Sequence, residues 1–119
     1  MTTPSPGADP TSTFWALAQG FLDRDGVTRS TMMGLPCLRR DGAFFAACDR
    51  NTGDLLVKLP ADRVTTLVTA GDAVPFAPAG RRFRQWAAVP ANLEGTWPAL
   101  LEQAHTYAGE PTADRGRMS

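Results

Sequence analysis

The sequence predicts an α+β two-layer sandwich. An antiparallel sheet of about five strands carries helices on one face, in the order helix, strands, helix, strand or strands, helix. Three observations predict it. Apolar residues recur at helical spacing in three separate segments, near the start, middle and end of the chain. Between the first two segments, short apolar runs are joined by tight-turn signals, which imply antiparallel neighbours. Strands that meander in this way leave the helices to gather on one side of the sheet.

The elements follow in chain order. Phe14, Leu17, Ala18, Phe21 and Leu22 form one apolar helical stripe, which Ser12 or Thr13 can cap and Gly26 can close. Asp41-Gly42 tolerates the two positive φ angles of a type I′ turn and separates the strands Leu35–Arg40 and Ala43–Asp49. Arg50-Asn51-Thr52-Gly53 turns the chain into a further strand, Asp54–Leu59. Pro60 ends that strand and can open a helix, where its missing N–H costs nothing. Val64, Leu67 and Val68 give this helix its stripe, and Gly71 stops it. Pro75, Pro78 and Gly80 mark an irregular connection before the strand Arg82–Val89. The last helix begins near Thr96-Trp97-Pro98, with a stripe of Trp97, Leu100, Leu101, Ala104 and Ala108.

These elements make one domain, expected over 13–109, between a disordered segment 1–12 and a flexible tail 110–119. The chain has 119 residues, 12 basic and 12 acidic, for a formal net charge of zero. Hydrophobic residues at 43% exclude a disordered polyelectrolyte, and neutrality excludes a strongly basic binder of polyanions. Two cysteines exclude a disulfide scaffold. The longest apolar run, Ala43 to Cys48, is far too short to span a bilayer. Met1 to Thr13 has neither the charge nor the apolar stretch of a signal peptide, so a cytoplasmic location is expected.

The turns imply a register, and the register assigns faces. A two-residue loop at Asp41-Gly42 sets Arg40 opposite Ala43, Leu38 opposite Phe45 and Cys37 opposite Ala46. A four-residue loop at Arg50–Gly53 sets Cys48 opposite Leu55 and Ala46 opposite Val57. Leu35, Cys37, Phe44, Ala46, Cys48, Leu55, Val57 and Leu59 then lie under the helices. Leu38, Arg40, Phe45, Ala47, Leu56 and Lys58 form a second, mixed face, joined by Arg82, Arg84, Trp86 and Ala88 of the last strand.

Few residues suggest chemistry. Cys37 and Cys48 fall diagonally on one face and are expected to be buried free thiols; with a single histidine, no zinc site is expected. His105, the only histidine, has Glu102 three residues before it and is expected to pack at a helix edge. Asp49 and Asp54 flank a turn and suit its chemistry better than a catalytic pair. The one basic-aromatic cluster is Arg81, Arg82, Arg84 and Trp86. With Lys58, the sole lysine, and Phe45, it forms the candidate binding face. No catalytic residue, metal or cofactor is expected.

Met32-Met33-Gly34-Leu35-Pro36-Cys37-Leu38, Asp41-Gly42-Ala43-Phe44-Phe45-Ala46, Leu56-Val57-Lys58-Leu59-Pro60, Phe76-Ala77-Pro78-Ala79-Gly80-Arg81-Arg82 and Trp86 occur in one order. In this the chain resembles the TfoX N-terminal domain of the TfoX/Sxy competence regulators, from about Phe14 to Ala108. The MmcQ/YjbR-like proteins look similar. The resemblance implies helices against an antiparallel sheet and a bacterial, regulatory, non-catalytic protein. It places Lys58, Gly80, Arg82 and Trp86 at matching positions. Two local departures are Met33-Gly34, where the family commonly has Phe-Gly, and Gly42-Ala43, where it commonly has Gly-Lys. The C-terminal domain of the full regulators has no counterpart here. The expected mode of action is protein contact, a homodimer included, with nucleic-acid binding by the basic-aromatic face as the alternative and no membrane partner.

Overall fold

The structure is a computed structural model that describes residues 11–32, 34–77, 80 and 83–110. Helix α1 spans Ser12–Leu22 and is followed by strands β1 (Val27–Met32), β2 (Leu35–Arg40), β3 (Ala43–Cys48) and β4 (Leu55–Lys58). Then come α2 (Ala61–Ala70), β5 (Val74–Phe76), β6 (Phe83–Val89), a 3₁₀ turn (Ala91–Thr96) and α3 (Trp97–Ala108). All strand neighbours are antiparallel, in the order β1-β2-β3-β4-β6-β5. The α+β sandwich predicted from sequence is therefore the observed architecture, with six strands where about five were expected. The strands beyond the four located in the sequence are β1 and the three-residue β5, which lies in the connection expected to be irregular. Pro75 sits in β5, at the sheet edge where a missing N–H is tolerated.

Local chemistry explains the helices and turns. All five stripe residues expected for α3 are buried, as are Val64 and Leu67 of α2. Pro60 is the N-cap of α2, and Gly71 closes it in the left-handed conformation. Asp41 (φ 51°) and Gly42 (φ 89°) both take the positive φ of a type I′ turn. Asp49 accepts hydrogen bonds at Oδ1 from Asn51 N (2.8 Å) and Thr52 N (3.2 Å), so it orders its turn as expected. Helix α1 ends earlier than expected: Asp23 is its C-cap, and Gly26 (φ 80°) instead turns the chain into β1. Thr11 and Ser12 were expected in the disordered segment. Thr11 is buried and Ser12 opens α1. The rest of that segment, 1–10, lies outside the described residues, as does the tail 110–119 apart from Glu110.

One irregularity in β3 reorganises both faces of the sheet. Cys37 pairs with Ala47 and Leu38 with Ala46, but Arg39 pairs with Phe44 and Arg40 with Ala43. Phe45 is the extra residue, a β-bulge. It puts the adjacent residues Phe45 and Ala46 on the same side, against the helices. Uninterrupted alternation would have sent Phe45, Leu38 and Arg40 to the opposite face. The expected assignment is corrected here: Leu38 and Phe45 are fully buried under the helices, while Leu35, Cys37 and Phe44 belong to the other side. The pairings Cys48–Leu55 and Ala46–Val57 stand as expected.

The main core lies between the sheet and the helices. Phe14, Phe21, Phe45, Val57, Trp97 and Leu101 are among its largest side chains. Every helix residue that joins a buried apolar cluster joins this one. Cys37 and Cys48 are both buried and outside any disulfide, but they lie on opposite faces rather than together. No helix of the described residues is long and apolar enough to cross a membrane.

Candidate interaction face of the sheet

The face turned away from the helices is apolar. Four central strands each supply one floor residue: Cys37, Ala47, Leu56 and Ala88. These are 0–8% exposed, although no described helix packs over them. Their burial comes from larger neighbours on the same face, because the half-buried Leu35, Phe44, Phe76 and Trp86 close around them. Trp86 stands opposite Lys58 in the β4–β6 ladder. Phe76 links Trp86 to Phe83, with ring centroids 6.4 Å from the first and 5.7 Å from the second. At the other end, the Arg39 guanidinium lies 5.0 Å over the Phe44 ring, and its Nε donates to Gly42 O at 3.2 Å. At the sheet margin Val74 is 47% exposed, the most open large apolar side chain among the described residues.

Burial raises the Cys37 thiol above its usual range, more than the nearby Arg39 charge and a hydrogen bond with Ser30 lower it. It is therefore a protonated, apolar floor residue and a poor nucleophile.

The structure separates the four described residues of the six expected to form the binding face. Lys58 and Trp86 are cross-strand neighbours on the open face. Arg84 is exposed but borders a hollow with Ala61, Asp62 and Thr65 at the start of α2, at the margin of the sheet. The β5–β6 register slips between Pro75 and Phe76, leaving Arg84 without a β5 partner and breaking simple alternation there. Phe45 is withdrawn from the face entirely by the bulge and packs against Phe21 and His105. Arg81 and Arg82 lie outside the described residues. Sequence reasoning missed Arg39, Phe44 and Leu35 as members of this face. Ala43 to Cys48 holds no polar residue that would reveal the slipped phase.

A second group of polar residues lies on the helix side. Because Arg40 points that way, its Nη1 reaches the last turn of α3 and donates to His105 O at 2.8 Å. A cation there also suits the negative end of the helix dipole. The guanidinium lies against Gly109, leaving no room for a Cβ unless Arg40 moves. Arg40 Nη1 and Arg24 Nη1 each lie 3.4 Å from His105 Nδ1. Arg24 also makes a two-pronged ion pair with Glu102. Phe21 and Phe45 enclose the imidazole, with centroids at 5.8 and 5.6 Å. Burial first, then the charges of Arg40 and Arg24, lower the His105 pKa from its usual 6.5, against the weaker pull of Glu102 and Asp41. Two donors aimed at Nδ1 favour the neutral tautomer protonated at Nε2. The cluster fastens α3 to β2 and to the α1–β1 turn.

Comparison of the chain with models of known protein families, with curated proteins and with solved structures gave no match.

Proposed function

We propose that this chain is a non-catalytic contact domain of the TfoX N-terminal-like kind, acting in regulation in the cytoplasm by binding protein through the open face of its sheet. One observation carries the reading. All the described helices pack on one side, and the other presents Leu35, Phe44, Phe76, Trp86 and Val74 around an apolar floor. Apolar surface of this kind, continuous across the central strands, marks an interaction site more often than an inert exterior. A second copy of the chain is among the partners the reading admits. The ordered resemblance to the TfoX N-terminal domain agrees with a contact role.

The test uses the three tryptophans. Protein labelled with 5-fluorotryptophan gives signals for Trp15, Trp86 and Trp97, on α1, the open face and the core respectively. In a cell extract, partner occupancy broadens or shifts the Trp86 signal and leaves Trp97 alone. Identical Trp86 signals in buffer and in extract overturn the proposal.

A second reading, nucleic-acid binding, is favoured by the pairing of Arg39 and Lys58 with Phe44 and Trp86. It requires retardation of a single-stranded oligonucleotide that weakens as salt rises.

A further inference from the structure

The charge distribution over the sheet narrows the kind of partner. None of the six strands contains Asp or Glu, although the chain has 12 of them. Five strand residues are cations: Arg29, Arg39, Arg40, Lys58 and Arg84. Two are turned to the helix side, Arg29 over the Trp15 ring at 4.4 Å and Arg40 at the end of α3. Arg84 sits at the margin, and Arg39 and Lys58 remain on the open face beside Phe44 and Trp86. Carboxylates occur instead in turns, as Asp41, Asp49 and Asp54, and on helices, as Asp62 and Glu102.

We infer that the open face receives an acidic polypeptide segment, whose large apolar side chains seat against Leu35, Phe44 and Trp86 while its carboxylates meet Arg39 and Lys58. The inference rests on the protein-contact reading and names the chemistry of the partner. An apolar centre with cations at its edge attracts a segment that carries both features. A second copy fits less well, because the described residues of this face include no carboxylate to offer a twin, and pairing would set cations near cations. A nucleic acid fits less well for a different reason. The two open-face cations among the described residues neutralise about two phosphates, which gives a salt slope of only about −1.4 on a single strand and weak binding. The apolar floor of Leu56, Ala47 and Ala88 would also have no counterpart along a phosphate backbone.

The test is selection of random 12-residue peptides by display against the full chain, followed by mapping of the selected peptides by amide NMR shifts. The expected peptides combine Asp or Glu with Leu, Phe or Trp and shift residues of β2, β3, β4 and β6. Their affinity falls at least tenfold for Arg39→Glu and for Lys58→Glu, each checked for native circular dichroism. Trp86→Ala weakens them similarly, with less dependence on salt. Peptides that map to the open face but carry no acid end this inference and leave the contact reading standing. The same holds if the face is occupied by a second copy in light scattering. Peptides that map to the helices, no enrichment at all, or tighter binding of an oligothymidine than of any peptide overturn both.

Discussion

The bulge at Phe45 predicts an inverted pair of mutational effects at adjacent phenylalanines. Phe45 is fully buried and packs its ring against Phe21 (6.3 Å) and His105 (5.6 Å). A phenylalanine buries roughly 150–200 Å², worth about 4–5 kcal/mol at 25 cal/mol per Å² as an upper bound. Truncation leaves a cavity between the sheet, α1 and α3, so Phe45→Ala is expected to cost about 3–5 kcal/mol. Phe44 is half-buried on the open face, where its ring meets Arg39 and the floor residues. Nothing of the main core collapses without it, and Phe44→Ala is expected to cost about 1 kcal/mol. At about 4–8 °C per kcal/mol for a domain of this size, the two variants differ in melting temperature by at least roughly 8 °C. Urea titrations followed by circular dichroism read the difference directly, with an unchanged m-value showing that the same transition is compared. Simple alternation puts Phe44 inside and Phe45 outside. A larger loss for Phe44→Ala than for Phe45→Ala therefore refutes the bulge and the face assignment with it.

The His105 site makes stability depend on pH. Its folded pKa lies below the unfolded value near 6.5, so the unfolded chain binds the proton first. The contribution is complete above pH 6.5 and is lost as pH falls from there through the folded pKa. A stability profile over pH 8 to 5 is expected to show this loss and His105→Gln to remove it; a profile that rises on acidification contradicts the cluster. The buried thiols Cys37 and Cys48 are expected to resist iodoacetamide in the native protein and to react together on unfolding. Rapid native alkylation of Cys37 would show that the floor of the open face is not closed by its neighbours.

Much of the fold was legible because its signals are local. The α3 stripe, the Asp41-Gly42 turn and the Pro60–Gly71 frame of α2 each rest on a few adjacent residues whose conformational preferences agree with the outcome. The two additional strands were harder to read. β1 is a polar edge strand, Val27–Met32, with no strict alternation, and β5 is three residues long with a proline in its centre. The candidate face was legible in outline and wrong in detail. Lys58 and Trp86 were placed correctly because β4 and the end of β6 pair without interruption. Phe45, Leu38 and Arg40 were misplaced because register is a non-local property, and one inserted residue inverts every assignment beyond it. The sequence does carry a trace of the inversion. Arg40 faces the end of α3 only in the bulged register, and the partners it finds there are His105 O and the bare backbone at Gly109.

That dependence leads to a deletion experiment that distinguishes the bulge from an ordinary strand residue. Removing Phe45 brings Phe44 next to Ala46, and the pairs Arg39–Phe44 and Leu38–Ala46 then follow each other without a gap. Every other side chain of β2 and β3 keeps its face. The deletion should therefore cost about what Phe45→Ala costs, together with the loss of the local twist that a bulge adds to a strand. Removing Leu56 is different. It lies in β4, whose ladders have no bulge, opposite both Ala47 and Ala88, so its loss inverts either Leu55 or Val57 relative to both neighbouring strands. Each of these is fully buried in the main core. The expected result is a folded, destabilised protein without Phe45 and an unfolded one without Leu56, measured by circular dichroism and gel filtration in the same stabilising osmolyte. If Phe45→Ala folds in that buffer but the Phe45 deletion does not, the extra residue is not where the chain absorbs its register shift. The open face would then have to be redrawn with Phe44 inside, Arg39 under the helices and Arg40 outside.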